Sequence, residues 1–288
     1  MNFSGKQWDA RYFQMAFQVT FLCYGTLFLQ WKAEWLHYLL FIGTGLFLQW
    51  VCDSIIIKKP ISPFHWTSGG WKSALISTLS LCLLLKTNDW FICIAAAALT
   101  ILSKYIFRIK AKHIFNPSAF GIVSTIVLTN KAWLSPGQWG SSVVLLFAVC
   151  CLGFIVVTKV QKLDVTLSFL LTFAGLLFFR QVLYLNWSFD FFLQSLSTGS
   201  LLLFSFFMIS DPRTAPNHAV ARIVWAVLIA AVSFYLSAFK WMNSTPIYVL
   251  VLMAPLVPLL DHLMQAKKFE WNKNTFCTTE QKIQGAQS

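Results

Sequence analysis

Long apolar runs alternate along this chain with short polar interruptions, and the run length is that of membrane-crossing helices. The runs fall at 12–31, 34–57, 71–85, 90–107, 117–128, 142–158, 165–185, 189–209, 220–239 and 246–264. The third and fifth are short for a hydrocarbon core of about 30 Å. The pattern predicts an all-α integral membrane protein of about ten transmembrane helices. It forms one membrane domain over 1–266, followed by a polar cytoplasmic tail over 267–288.

Two of the runs begin alike. The fifth opens with Asn116-Pro117 and the tenth with Thr245-Pro246. In each, a side chain able to cap precedes a Pro at the first helical position, where the missing N–H costs nothing. Ten spans therefore divide into two five-helix repeats, at approximately 11–130 and 141–266. Five is odd, so the second half is inverted relative to the first, and the two Pro-opened starts face opposite sides of the membrane. X-Pro also starts helices without any duplication, so the residues alone leave this point open.

Composition agrees with the pattern. Hydrophobic residues make up 57% of the chain and charged residues 11%, where a soluble domain carries roughly a quarter charged. The net charge of +12 could point to nucleic acid, but 17 of the 22 Lys and Arg fall on one side of a ten-span layout. That asymmetry is a topology signal placing both termini in the cytoplasm, so no nucleic acid is expected as a partner. The basic loop 104–113 suits anionic lipid headgroups as well as topology.

The seven Cys form no C-x-x-C, and most lie in or beside apolar runs as inert thiols; adjacent Cys150-Cys151 is the sole redox candidate. No His has a metal-ligand partner at helical spacing, and no P-loop, dinucleotide or nucleophile-elbow motif occurs, so no metal site is expected.

Two polar knots carry the candidate chemistry. In "KHIFNPSAFG", Asn116, Pro117 and Ser118 begin a helix whose N–H groups are free to hold something. In "ISDPRTAPNHAVAR", Ser210 or Asp211 caps a helix from Pro212, or Asp211 closes a turn on its own backbone. Arg213, Thr214, Pro216 and Asn217 follow, and together they suit an anionic or polar ring ligand; they equally suit an ordinary loop. The small polar stretch Ser195, Ser197, Thr198, Gly199 and Ser200 reads as close helix packing or as contact with a buried cofactor. Arg180 and Asp190 could pair or reach the interface separately, and Asp53 and Asp261 are placed to meet basic loop residues. Pro255 and Pro258 predict a kink before Asp261.

Several stretches, in this order, resemble the RnfD/NqrB family, membrane components of ion-translocating electron-transport complexes such as the sodium-pumping NADH:quinone oxidoreductase. They are "DARYFQMAF", "TSGGWKSALISTLSLCLLL", "SKYIFRIKAKHIFNPSAFG", "GSLLLFSFFMISDPRTAPN" and "TPIYVLVLMAPLVPLLD". The resemblance implies two inverted five-span halves, a bacterial cytoplasmic membrane, partner redox or membrane proteins, and an electron-transport subunit rather than a self-sufficient enzyme. It also implies flavin. The family's covalent FMN anchor is a serine–glycine–alanine–threonine motif after the asparagine–proline span. The corresponding loop here reads "TNKAWLSPGQWGSS" and lacks it. The expectation is therefore FMN or riboflavin held non-covalently by Asn116, Pro117, Ser118, Asp211, Thr214 and Pro216. The alternative is a flavin-free transporter or channel. The basic run 108–113 and the "SPGQWG" loop resemble a divergent branch, the enediyne-biosynthesis protein UnbU group.

Overall fold

The computed structural model describes residues 10–28, 31, 34–57, 70–109, 112–135, 153–155, 157, 158 and 161–266. The first part contains α1 (Ala10–Leu27), α2 (Trp35–Ile57), α3 (Gly70–Leu84), β1 (Leu85–Thr87), α4 (Trp90–Ile106), β2 (Arg108–Ile109), β3 (Lys112–His113), α5 (Pro117–Thr129) and β4 (Ala132–Leu134). The second part contains α6 (Leu163–Phe178), which runs on as a π-helix over Phe179–Tyr184, then α7 (Phe189–Leu196). Next come α8 (Gly199–Leu203), with a π-turn over Phe204–Met208, α9 (Ala219–Lys240), α10 (Thr245–Met253) and α11 (Leu256–Leu263).

Three helical stretches, Trp35–Ile55, Leu163–Tyr184 and Ala219–Lys240, are long and apolar enough to cross a membrane. Two bent pairs, α7 with α8 and α10 with α11, pass the same test as units, which gives up to five spans. Helices α3, α4 and α5 are apolar but shorter. Every predicted run coincides with a helix or bent pair except 142–158, most of which lies outside the described residues, as do Cys150, Cys151 and the tail 267–288.

The surface is that of a lipid-embedded protein. Leu39, Leu128, Leu171 and Leu252 are each about 70% exposed, an arrangement that water would penalise and acyl chains reward. The buried core holds Trp225, Phe169, Phe204, Leu81, Ile101 and Ile122. In the first part α3 packs on α1 and α2, and α4 on α2 and α5. In the second, α6 packs on α9 and on the π-turn, and α9 packs on α10. The α4–α5 approach is close because Gly121 has no side chain: a Cβ there would overlap the Thr100 hydroxyl and sit 3.1 Å from the Ala96 carbonyl.

The breaks in the bent pairs have identifiable causes. The first falls at Ser197-Thr198, inside the predicted small polar stretch, with a bend of 50°. The second falls at Ala254-Pro255, with a bend of 53°, where Pro removes a helical donor. Within the first pair, the Thr166 hydroxyl donates to the Ser205 carbonyl of the π-turn at 2.9 Å, supplying a partner from α6.

Two short antiparallel pairings fix the ends. β1 pairs with β4 through Leu85 and Leu134, and β2 pairs with β3 through Arg108 and His113. Helices α5 and α10 touch each other and run in opposite directions. Lys112, just before α5, meets Asp261 near the end of α11, whereas Leu134, just after α5, lines the same cavity as Thr245 at the start of α10. The end of the molecule that carries β2 and β3 is called the hairpin face below.

Candidate functional site

The start of α5 is the best-organised polar feature on the hairpin face. Pro117 occupies the first turn and Asn116 is the N-cap, its side chain accepting from Ala119 N–H at 3.2 Å. The Ser118 hydroxyl donates to the same Asn116 oxygen at 2.8 Å. Asn116 Nδ2 in turn donates to the Met208 carbonyl at 3.2 Å, which anchors α5 to the last residue of the π-turn. One amide side chain therefore caps its own helix and locks it to a neighbouring element 92 residues on.

Around it lies a cavity of about 80 Å³. Its wall includes Arg11 and Gln14 from α1, Ser73, Ser77 and Ser80 from α3, and His113, Asn116, Pro117 and Ser118 from the approach to α5. Ser210, Asp211 and Arg213 close it from the loop after the π-turn. Ser77 donates to the Ser73 carbonyl, Ser118 to Asn116, and Ser210 to the Phe206 carbonyl. These hydroxyls have thus committed their protons inside the protein and offer the cavity oxygen lone pairs. Behind the wall, Gln18 Nε2 donates to Ser80 at 2.8 Å, and Lys104, 3% exposed, donates to the Ser73 carbonyl at 3.1 Å.

The Asp211 knot resolves into a turn, with no helix beginning at Pro212: Arg213 N–H donates to Asp211 Oδ1 at 3.1 Å, the local closure that Asp side chains favour. Thr214 and Pro216 are buried but are not part of its wall, so four of the six predicted site residues gather round it and two do not. Sequence reasoning missed the α1 and α3 contributions. The serines at 73, 77 and 80 recur at helical spacing within an apolar run, and that spacing was the available signal.

Charge around the cavity is unbalanced. His113 is buried, and Arg213 Nη1 lies 3.5 Å from its Nε2. Burial first, then the charges of Arg213, Arg108 and Lys104, hold its pKa down at about 3, so the ring is neutral. Burial raises the Asp211 carboxyl above its ordinary value, opposed by Arg213.

A second cavity on this face, about 360 Å³, is lined by Ile109, Lys112, His113, Asn217, Asp261 and His262 among others. Its charged floor is a network. Lys112 Nζ bonds Asp261 Oδ2 at 2.7 Å and the Ala215 carbonyl at 2.6 Å, and Asn217 N–H donates to Asp261 Oδ1 at 2.7 Å. Arg222 continues it, donating to the Asn217 carbonyl at 2.7 Å and pairing with Asp164 at 2.6 Å. Lys162 sits alongside, its pKa lowered to about 8 by burial and then by Arg222.

Asp261 therefore meets a basic loop residue as the sequence suggests. Asp53 accepts from the Tyr105 hydroxyl at 2.7 Å and from Gln49 Nε2 at 3.1 Å; the basic residues of the following loop lie outside the described residues. Arg180 donates to the Ala238 carbonyl at 3.0 Å and lies over the Phe239 ring; no ion pair joins it to Asp190 among the described residues.

At the opposite end, a cavity of about 480 Å³ surrounds the start of α10. Gln181, Ser195, Thr198, Ser200, Asn243, Ser244 and Thr245 supply its polar wall, and Phe173 and Leu177 its apolar one. The predicted cap moves by one residue here. Thr245 is already helical and its hydroxyl donates to the Ser233 carbonyl of α9 at 2.9 Å, while Ser244 holds the N-cap position with φ 52°. The packing demand of α9 has taken the hydroxyl that local capping would have used.

A model of the NQR2, RnfD, RnfE family matches residues 127–270, half of the chain. The match takes in the Asp211 turn and α10 and begins near the end of α5, so "FNPSA" precedes it. No curated protein matches the chain.

Proposed function

We propose, for a chain that belongs to the NQR2, RnfD, RnfE family, that it works as a membrane subunit of an ion-translocating electron-transport assembly. In this reading the two oppositely directed short helices build the path for the translocated species. The carrying observation is the pair α5 and α10: each opened by a Pro, in contact with each other, and each starting at its own polar cavity at opposite ends of the molecule. Half-length helices with matching starts are how inverted repeats set a site at their interface.

The packing pattern supports the duplication. The contacts of α3 with α1 and α2, and of α4 with α2 and α5, have counterparts in the second half. There the π-turn packs on α6, and α9 packs on both α6 and α10. The ring of Phe206, in the π-turn, lies where a Cβ at Gly153 would point, which supplies the equivalent of the α1–α3 contact. On this layout the hairpin face is cytoplasmic, and the chain sits in a bacterial inner membrane in the company of partner redox proteins. The basic run 108–113 and the "SPGQWG" loop support the reading of an UnbU-like branch.

The flavin expectation changes with the cavity sizes. Ligand pockets for drug-sized molecules run from roughly 300 Å³ upward, so the 80 Å³ beside Asn116 speaks against an isoalloxazine ring there. That cavity has room for water or a small ion. The cavity of about 480 Å³ around Ser244 and Thr245 suits a non-covalent flavin better on size, with the amides and hydroxyls of Gln181, Ser195, Ser200 and Asn243 in the same wall as Phe173. When bound it would supply one- and two-electron chemistry, with the chain contributing orientation and exclusion of water.

An absorption spectrum of the purified protein, taken before and after acid precipitation, tests the redox part. Flavin bands that pass to the supernatant are expected. A colourless protein from flavin-replete cells removes that part and leaves the flavin-free transporter reading, which the small cavity at Asn116 favours.

A further inference from the structure

Two of the three cavities described lie on the hairpin face, and their walls share one residue, His113. His113 is 8% exposed, and it lines both the 360 Å³ cavity floored by Lys112 and Asp261 and the 80 Å³ cavity at Asn116. Its Nε2 faces the Arg213 guanidinium, which can only donate, so Nε2 carries the lone pair and Nδ1 carries the proton. That Nδ1 is buried and has no hydrogen-bond partner among the described residues. A buried donor without a partner costs on the order of 1–3 kcal/mol, and water in either adjoining cavity would remove that cost.

We propose that the larger cavity is a vestibule, that the two cavities form one aqueous access route to the start of α5, and that His113 is its partition. Its imidazole limits how fast a small hydrated solute passes from the vestibule to the Asn116 cavity. Several features of the surroundings suit that role. β3 is pinned on one side by Lys112, bonded to Asp261, Ala215 and Asn217, and on the other by its pairing with Arg108. The strand that carries the ring is thus held in place from both sides. Burial, then Arg213, Arg108 and Lys104, keep the ring neutral; Asp211 lines the inner side and Asp261 and His262 the vestibule side. A neutral ring adds no fixed charge at the narrowest point.

The inference rests on reading the Asn116 cavity as a place that a solute occupies. Its test reads access alone, with no electron transfer or ion flux, so failure here and failure of the functional reading are distinguishable. Ser118→Cys places a thiol in the inner cavity and Gln265→Cys one in the vestibule. The probe is 2-aminoethyl methanethiosulfonate applied from the hairpin face of sealed membrane vesicles. Labelling is read on the tryptic peptides spanning 113–131 and 241–267, neither of which contains a native Cys.

Gln265→Cys is expected to label quickly, and at the same rate whatever stands at 113. Ser118→Cys is expected to label slowly with His113 present, at least about tenfold faster with His113→Ala or His113→Asn, and slower still with His113→Phe. Reading both smaller variants keeps the test decisive if one of them fails to insert. Equal Ser118→Cys rates across the series, or no labelling of Gln265→Cys from this face, would overturn the proposal.

Discussion

Lys112 and Asp261, 149 residues apart in the chain, meet at 2.7 Å and tie the approach to α5 to the end of α11. The pair is mostly shielded, with 17% exposure for each side chain. It is also fully hydrogen-bonded: Asp261 takes the Asn217 N–H, and Lys112 reaches the Ala215 carbonyl. Removing one partner leaves the other charge partly buried. Lys112→Ala and Asp261→Ala should each cost about 2–3 kcal/mol, and the double variant clearly less than their sum. Thermal unfolding in detergent checks this; strict additivity would mean that the two do not act as a pair.

Asn116 carries two separable jobs. Asn116→Ala loses the cap to Ala119, the bond from Ser118 and the bond to Met208, and should destabilise by about 2 kcal/mol or somewhat more. Asn116→Asp keeps the acceptor for Ala119 and Ser118 and trades the donor to Met208 for an oxygen, so its loss reads the tie to the π-turn with the cap intact. Equal losses in the two variants would place the whole effect in the tie to the π-turn.

Gly121 lets α4 and α5 approach closely. Gly121→Ala should lower thermal stability by about 1–3 kcal/mol, because the Thr100 side chain has to move and the Ala96 carbonyl cannot easily follow. Adding Thr100→Ala should restore part of the loss. A Gly121→Ala protein as stable as the parent would contradict the close approach.

The pH response follows from His113. Its folded pKa of about 3 lies below the ordinary value of 6.5, so between those values the unfolded chain takes up a proton that the folded protein refuses. The His113 contribution to stability therefore falls as pH drops from 6.5 toward 3. Asp211, raised in the folded state, acts in the opposite sense and favours the fold as pH falls through its folded pKa. The stability of the parent relative to His113→Asn, followed from roughly pH 7 down to pH 4, should decline steadily. A pH-independent difference would mean that the ring titrates normally.

Much of this architecture is legible in the chain because apolar run length and Pro position are local signals. Asn116-Pro117 announces α5, and the structure puts the cap where the dipeptide implies. Pro255 likewise foretells the α10–α11 bend. Thr245 differs because its hydroxyl serves Ser233 on another helix, a tertiary demand that no local rule carries. The same holds for Thr214 and Pro216, which share a loop with Asp211 but are buried outside the cavity wall. The spacing of the α3 serines marks a polar stripe on that helix, but which elements it meets, and that His113 lines two cavities, depend on tertiary packing that one segment does not encode.

If the two Pro-opened helices form an inverted pair, they start at cavities on opposite sides of the membrane, and this is directly measurable. Arg213→Cys sits at the cavity of α5 and Asn243→Cys at that of α10, and both positions are exposed. Labelling each with a membrane-impermeant thiol reagent in right-side-out and inverted vesicles reads their sidedness. Arg213→Cys should react in one orientation only and Asn243→Cys only in the other. Reaction of both from the same side would contradict the inverted arrangement.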